Sequence, residues 1–223
     1  MKPAGLDQAP PAPAVAAEVF GERLPLAEAY AGWLAGPAVE RGLIGPREVA
    51  RLWERHLLNC AVVAPLLPAG ARVADVGSGA GLPGLVLAVV RPDVTVRLVE
   101  PLLRRAEYLR EVVEDLALSG VEVVRGRAED QPRGQVEVVT ARAVAPLERL
   151  LGWTLPLLAP GGELLALKGA SAAAELADAA QALGRWPVAS ALVESVGSGV
   201  VEPSTTVIRV RLAIGRGSGE GAP

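Results

Sequence analysis

Hydrophobic residues follow two different spacings along this chain. From Arg72 onward, short apolar runs bounded by glycine, proline and charged residues alternate with longer segments in which apolar residues recur at helical spacing. Strands that alternate with helices are typical of a parallel sheet covered by helices. The predicted strands cover residues 73–76, 94–99, 121–124, 136–141, 163–168, 188–196 and 205–212. Because a Gly/Pro/Ser loop joins the last two, we expect an α/β fold with a seven-stranded, mostly parallel sheet that ends in an antiparallel hairpin.

Two helical segments precede the first strand and predict an N-terminal extension. Phe20, Tyr30 and Leu34 recur at roughly helical spacing between residues 19 and 35, and a second helix is expected from Gly45 to about Leu66. The first and last residues of the chain show no periodic pattern and are expected to be disordered. The predicted organisation is a tail over 1–17, a helical extension over 18–70, one α/β domain over 71–214 and a tail over 215–223.

Composition narrows the environment in which the protein works. Of 223 residues, 51% are hydrophobic, and the formal net charge of −3 counts mildly against tight, independent binding of RNA. A single cysteine, Cys60, excludes an internal disulfide, and a single histidine, His56, excludes most zinc sites, so no metal is expected. No signal peptide or membrane-spanning run is visible in the sequence. We therefore expect a cytoplasmic monomer without membrane contact.

A glycine-rich loop after the first predicted strand is the strongest candidate for a ligand site. The stretch from Asp75 to Gly84 reads DVGSGAGLPG; its glycines allow positive φ and close approach of a ligand, toward which the backbone amides are expected to point. The spacing of Asp75, Gly77, Gly79 and Gly81 resembles the first motif of class I S-adenosylmethionine-dependent methyltransferases.

Two other interpretations of this loop stay open. Gly79 to Gly84 also reads as G-x-G-x-x-G, the dinucleotide fingerprint that places a pyrophosphate at a helix N-terminus. Asp75 favours S-adenosylmethionine, because a carboxylate attracts a sulfonium and an ammonium but repels phosphates. A glycine-rich turn without any ligand is the remaining alternative.

Other strand ends carry residues suited to the same ligand. Glu100 ends the second predicted strand, where a carboxylate accepts hydrogen bonds from both hydroxyls of an adenosine ribose; an acidic residue beside a helix start is the alternative. Ala128 and Glu129 follow the third strand, and we interpret their loop as an adenine site, although plain turns also look like this. The fourth strand runs into Thr140-Ala141-Arg142-Ala143, so it lacks the Asn/Asp-Pro-Pro-aromatic tetrad of enzymes that methylate exocyclic amines.

Candidate substrate contacts are few. His56 and Asn59 lie three positions apart on the second predicted helix, so both side chains can point the same way. A half-buried histidine beside Trp53 that bonds a neighbouring loop is the favoured interpretation of His56, with a substrate contact as the alternative. Lys168 ends the fifth strand as the only lysine of the predicted folded region, which favours a role for a compact ammonium at that strand end.

Several of these segments together resemble one family. They are residues 55–60 (RHLLNC), 75–84 (DVGSGAGLPG), 127–129 (RAE), 141–143 (ARA) and 167–169 (LKG). From about Gly45 to Leu212 the chain is similar to the bacterial small-subunit ribosomal RNA guanine-N7 methyltransferases, also called glucose-inhibited division protein B. Asn59 departs from the family pattern, because many relatives carry an aspartate there.

The resemblance implies a fold, a cofactor and a partner. The fold is the class I, Rossmann-like methyltransferase fold with the last strand antiparallel, which makes residues 71–214 a methyltransferase domain. The cofactor is S-adenosylmethionine, and the partner is 16S ribosomal RNA, either naked or within an assembly intermediate of the small subunit. The family's cofactor contacts fall on Gly77, Leu82, Ala128, Glu129 and Arg142.

The implied reaction is compatible with so few catalytic candidates. Guanine N7 has an in-plane lone pair and no proton, so its attack on a sulfonium methyl needs no general base and depends mainly on positioning. We therefore predict no catalytic acid or base, with His56 and Lys168 as substrate contacts. The predicted cofactor site comprises Asp75, Gly77, Gly79, Gly81, Leu82, Glu100, Ala128, Glu129 and Arg142. Alternatives are a methyltransferase for a small molecule or another RNA, a nicotinamide dehydrogenase, and a non-catalytic cofactor-binding module.

Overall fold

One seven-stranded sheet forms the centre of the protein. The structure is a computed structural model that describes residues 9–214. Its strands are β1 (Arg72–Val76), β2 (Thr95–Glu100), β3 (Val121–Arg125), β4 (Val136–Arg142), β5 (Leu158–Lys168), β6 (Val188–Val196) and β7 (Thr205–Leu212). Across the sheet the order is β3-β2-β1-β4-β5-β7-β6, with the first five parallel and β7 antiparallel to both its neighbours. The predicted mostly parallel sheet with a C-terminal hairpin is confirmed.

β5 begins before the position that the sequence predicts. Val136 pairs with Leu158, whereas Val138 pairs with Glu163, so residues 159–162 bulge out of the ladder between these two pairs. Gly161, with φ of 78°, lies in this bulge. The predicted Pro-Gly turn therefore exists, but as an irregularity inside the strand.

Helices pack against the sheet in two hydrophobic cores. They are α1 (Ala14–Phe20), α2 (Leu24–Ala35), α3 (Pro37–Glu40), α4 (Asn59–Ala61), α5 (Gly84–Val90), α6 (Leu103–Asp115), α7 (Leu147–Thr154), α8 (Ala172–Asp178) and α9 (Ala180–Leu183). Helices α1, α2, α5 and α6 contribute buried residues to one hydrophobic core, and α7, α8 and α9 contribute to another.

The predicted N-terminal tail boundary at Ala17 is wrong, because α1 already begins at Ala14. Pro13 precedes the helix, a position where proline is tolerated, and the small residues that follow gave no visible periodicity. The helix is packed in place, since the ring of Phe20 lies edge-on to that of Trp53 with 6.1 Å between centroids. Residues 1–8 and the predicted tail over 215–223 lie outside the described residues.

The second predicted helix is helical but irregular. It consists of a 3₁₀ turn (Pro46–Arg51), a π-helix (Leu52–Leu58), α4 and a further 3₁₀ turn (Ala64–Leu66). π-Helical turns are rare and occur frequently at functional sites. In the described part of the chain, no helix combines the length and apolarity that crossing a membrane requires.

Candidate functional site

The loop between β1 and α5 lies at the carboxyl ends of the parallel strands. Gly77, Gly79 and Gly81 have φ of 70°, 58° and 98°, a region that residues with a Cβ rarely adopt. A Cβ on Gly77 would also lie 2.8 Å from Cγ2 of Val144, in the segment after β4. The predicted use of glycine for positive φ is confirmed at these three positions.

The backbone amides of this loop are engaged within the protein. Gly77 N–H donates to Val99 O (2.9 Å), and Gly81 N–H donates to Ser78 O (2.7 Å), as does Leu82 N–H (3.2 Å). The expectation that amides point toward a ligand is therefore wrong for these residues. A pyrophosphate needs free N–H donors at such a loop, so this bonding argues against the dinucleotide interpretation.

The N-terminal extension contacts the glycine loop at Ala80 and Gly81. The hydroxyl of Tyr30, in α2, donates a hydrogen bond of 2.7 Å to Ala80 O. Burial raises the pKa of Tyr30 well above its usual value, so the hydroxyl keeps its proton and acts as a donor. A Cβ on Gly81 would lie 2.7 Å from the same hydroxyl oxygen. Gly81 and the buried Leu82 thus face α2 and the core, and Tyr30 is a site residue that the sequence interpretation missed.

Glu100 lies where predicted, at the end of β2 beside the loop, but its carboxylate also has a structural role. Its Oε2 accepts from Gly79 N–H (3.0 Å) and its Oε1 accepts from Leu102 N–H (3.0 Å). The side chain is buried. Each carboxylate oxygen has a second lone pair, so these bonds leave acceptor capacity for a ligand.

Asp75 lies at the end of β1, fully buried beneath the loop. Thr140 Oγ1 donates to its Oδ1 (2.9 Å), while Oδ2 has no hydrogen-bond partner among the described residues. Burial raises the pKa of Asp75 to about 6, and the hydrogen bond from Thr140 partly opposes this effect. An unsatisfied buried carboxylate oxygen is costly, and a cationic ligand nearby would offset that cost.

A cleft of about 350 Å³ opens beside the loop. Of the predicted cofactor residues, Gly77, Ala128 and Glu129 line it. The sequence interpretation missed three apolar residues that also line the cleft, Leu102, Val144 and Trp153. Leu102 is 52% exposed and lies just before α6 with extended backbone.

Arg142, at the end of β4, turns away from this cleft toward the π-helix. Its guanidinium donates to His56 Nδ1, to Arg55 O (3.3 Å) and to Cys60 Sγ (3.2 Å). Arg142 is not among the residues that line the cleft, so its predicted cofactor contact stays a prediction.

The contacts of His56 define its protonation state. A guanidinium can only donate, so Nδ1 of His56 must be the acceptor from Arg142, and the proton resides on Nε2, which donates to Glu48 Oε2 (3.1 Å). Burial, together with the positive charge of Arg142, lowers the pKa of His56 to about 4. The ring is buried rather than half-buried, neutral and bonded at both nitrogens within the protein, and its predicted substrate contact stays a prediction.

Lys168 also has partners inside the protein. Its Nζ donates to Ala145 O (2.8 Å) and to Glu175 Oε2 (2.6 Å). The ammonium therefore ties the segment after β4 to α8. Asn59, the first residue of α4, donates to Thr205 Oγ1 (2.7 Å) and thereby ties α4 to β7.

The chemistry of this site fits S-adenosylmethionine. Glu129 lines the cleft, Glu100 is bonded to the glycine loop, and Asp75 lies buried beneath that loop with one oxygen that has no hydrogen-bond partner among the described residues. The apolar side chains of the cleft match an adenine ring, and the missing Cβ of Gly77 leaves room beside Val144. Among the described residues, no cluster of three or more His, Cys, Asp or Glu side chains could hold a metal.

Solved structures share this fold at low sequence identity. An S-adenosylmethionine-dependent O-methyltransferase from Thermotoga maritima aligns with a TM-score of 0.54 at 18% identity, over 76% of this chain and 71% of its own. A tRNA (m1A58) methyltransferase from Aquifex aeolicus aligns with a TM-score of 0.54 at 15% identity, over 69% and 68% of the two chains. The fold is therefore that of the class I S-adenosylmethionine-dependent methyltransferases.

The sequence assigns the family within this class. The chain belongs to the GidB family, rRNA small subunit methyltransferase G, whose model matches residues 23–199. A relative named ribosomal RNA small subunit methyltransferase G from Thermobifida fusca is 60% identical over 87% of this chain and 83% of its own length. A relative of the same name from Streptomyces avermitilis is 58% identical, over 91% and 86% of the two chains.

Proposed function

We propose that this protein transfers the methyl group of S-adenosylmethionine to N7 of a guanine in 16S ribosomal RNA of the small subunit. Family membership supports the RNA as substrate, and one structural observation supports the ring nitrogen. The segment after β4, which borders the cofactor cleft through Val144, consists of Ala143, Val144, Ala145 and Pro146 and carries no polar side chain. An enzyme that methylates an exocyclic amine needs acceptors for the N–H groups of that amine. N7 carries no hydrogen, so its methylation needs no such acceptor.

The chain's own residues bind and orient the cofactor. S-Adenosylmethionine supplies an electrophilic methyl group on a sulfonium when it is bound. Glu129 at the cleft and Glu100 at the end of β2 would hold its hydroxyl and amine groups, and Asp75 would attract its positive charge. Leu102, Val144 and Trp153 would cover the adenine and exclude water.

The proposed reaction needs no general base, and His56 is not available as one. His56 has no free ring nitrogen lone pair, because Nδ1 accepts from Arg142 and Nε2 carries a proton. The N7 lone pair attacks without losing a proton, so the protein accelerates the reaction by aligning the two reactants. His56, Arg142 and Lys168 would then act by holding the β4 exit and the helical extension in place.

We further propose that the enzyme works as a cytoplasmic monomer on RNA whose structure is already formed. The chain contains 4 Trp, 2 Tyr and 1 Phe, so it offers little surface on which to stack splayed bases. Its net charge of −3 gives no general attraction for RNA. Recognition would therefore depend on shape within an assembling small subunit.

Incubation of the purified chain with methyl-labelled S-adenosylmethionine tests this proposal. The RNA would come from a strain that lacks the enzyme, offered as naked 16S rRNA and as small subunits. We expect label in the RNA, recovered as 7-methylguanosine at one position by mass spectrometry of nuclease digests. Label on another atom, or on a small molecule only, would contradict the proposal.

A further inference from the structure

A second cleft, of about 370 Å³, lies at the same edge of the sheet as the cofactor cleft. It is bounded by the π-helix with α4, by the end of β5 and by the start of β7. Its polar lining includes Arg51, Arg55, Asn59, Lys168, Ser204 and Thr206. Nothing in the cofactor site accounts for this set of side chains.

The segment after β4 forms the wall between the two clefts. Val144 lines the cofactor cleft, and the carbonyl of the next residue, Ala145, accepts from Lys168, which lines the second cleft. A base held over residues 143–146 would therefore have the cofactor cleft on one side and the second cleft on the other.

The walls of the second cleft are held rigidly. Asn59 Nδ2 donates to Thr205 Oγ1 (2.7 Å), and Thr205 Oγ1 donates back to Asn59 O (3.0 Å). This reciprocal pair links α4 to β7 across the floor. The neighbouring residues Ser204 and Thr206 make no side-chain hydrogen bond to another described residue, so their hydroxyl groups are unoccupied.

The lining carries three cationic side chains, those of Arg51, Arg55 and Lys168, against two carboxylates. Arg51 and Arg55 are both exposed, and Arg55 pairs with Glu48 (3.1 Å). Among residues 9–214, Arg51 has no carboxylate within salt-bridge distance. Glu54 and Glu202 add two negative charges to the lining. No aromatic side chain lines the cleft, so it is suited to phosphate and ribose rather than to a stacked base.

We infer that this cleft binds the ribose–phosphate backbone of the RNA strand next to the target guanine, with Arg51 as the main phosphate contact. The inference rests on the proposed function, because it assigns the path of that same substrate. Guanidinium groups and hydroxyls are the side chains that most often contact phosphate oxygens. In a protein of negative net charge, such a local site supplies an attraction that the whole surface does not.

A pair of opposite charge changes tests the inference. Arg51→Gln removes a cation and Glu202→Gln removes an anion from the same cleft. Binding of 16S rRNA and of small subunits from a strain lacking the enzyme would be measured directly, and methyl transfer separately. We expect Arg51→Gln to raise Kd and KM for RNA roughly tenfold and to weaken the salt dependence of binding, with kcat within about twofold. Glu202→Gln should lower Kd severalfold.

The chain offers a matched control on another surface. Arg149, Arg185 and Trp186 line a cleft of about 500 Å³ on the outer side of α7 and α9. The double variant Arg149→Gln/Arg185→Gln should leave Kd for RNA unchanged. None of the variants should change the affinity for S-adenosylmethionine or the melting temperature. If Arg51→Gln leaves Kd for RNA unchanged, or if the double variant weakens RNA binding as much as Arg51→Gln does, the inference is overturned. Failure of methyl transfer by the unmutated chain would overturn the proposed function instead.

Discussion

The Tyr30 hydroxyl and the Ala80 carbonyl oxygen lie 2.7 Å apart, joined by a buried hydrogen bond. Tyr30 belongs to the N-terminal extension, and Ala80 belongs to the glycine loop. The extension thus fixes the conformation of the loop to which we assign cofactor binding.

Removing this hydroxyl should weaken cofactor binding. Tyr30→Phe leaves the buried carbonyl of Ala80 without its donor, which costs about 1–3 kcal/mol of unfolding free energy. We also expect a severalfold weaker affinity for S-adenosylmethionine by calorimetry. Tyr108→Phe is the matched control, since the buried hydroxyl of Tyr108 has no partner among the described residues. Equal effects of the two substitutions would contradict this role of Tyr30.

Two glycines of the loop should differ in their tolerance of alanine. Both have positive φ, so alanine costs each about 1–2 kcal/mol. At Gly77 the added methyl would also lie 2.8 Å from Val144, whereas at Gly79 the closest atom is 3.8 Å away. We expect Gly77→Ala to abolish measurable cofactor binding and Gly79→Ala to weaken it. Adding Val144→Ala to Gly77→Ala should recover part of the affinity; no recovery would show that crowding is not the cause.

The two glutamates at the cleft should separate binding from stability. Glu129 is exposed on the cleft, and Glu129→Gln should weaken cofactor binding roughly tenfold without changing the melting temperature. Glu100→Gln places an amide group against one of two backbone N–H donors, so it should lower both affinity and stability. A stable Glu100→Gln variant with normal affinity would exclude the proposed role of this carboxylate.

The raised pKa of Asp75 predicts a pH dependence of stability. Its folded pKa of about 6 exceeds its ordinary value of 3.8, so the folded protein holds this proton more tightly than the unfolded chain. The stabilisation that the bound proton of Asp75 gives the folded protein amounts to about 3 kcal/mol. It is therefore fully present below pH 3.8 and is lost as pH rises through about 6. The unfolding free energy of wild type relative to Asp75→Asn should fall as pH rises from about 4 to 6. Urea titrations at several pH values would measure it. A constant difference would contradict the assignment.

His56 predicts the opposite slope over nearly the same window. Its pKa falls from 6.5 to about 4 in the folded protein, so its contribution is present above pH 6.5 and is lost as pH falls through about 4. His56→Gln keeps one donor and one acceptor for Glu48 and Arg142. The unfolding free energy of wild type relative to His56→Gln should rise with pH between 4 and 6.5. This variant should also retain methyl transfer, because His56 is not a general base.

Much of the fold follows from the sequence because its strands have strong local signals. The hairpin strands at 188–196 and 205–212 are predicted to the residue, since alternating apolar positions and a glycine-rich connection mark both ends. α1 and the start of β5 were harder to predict. Alanine-rich and Pro-Gly sequences carry little periodicity, and tertiary packing decides their conformation.

The candidate site was predicted in its outline but not in its contacts. Gly77, Ala128 and Glu129 do line one cleft, as the motif spacing implies. Tyr30, Trp153 and Leu102 were missed because nothing in their own neighbourhood points to a ligand; their positions depend on how distant elements pack. The pairing of Lys168 with Glu175, and of Arg142 with His56, depends on side-chain directions that the order of residues leaves open.

Two rows of side chains run along the π-helix from Leu52 to Leu58 and the residues that flank it. Each member of the second row directly follows a member of the first in the sequence. Arg51, Arg55 and Asn59 face the cleft, while Leu52, His56 and Cys60 are buried. If these residues wound as an ordinary α-helix, with fewer residues in each turn, the chain that follows would be rotated about the helix axis. Asn59 would then leave the cleft and Cys60 the core, so the wide winding keeps the polar row outside and the buried row inside.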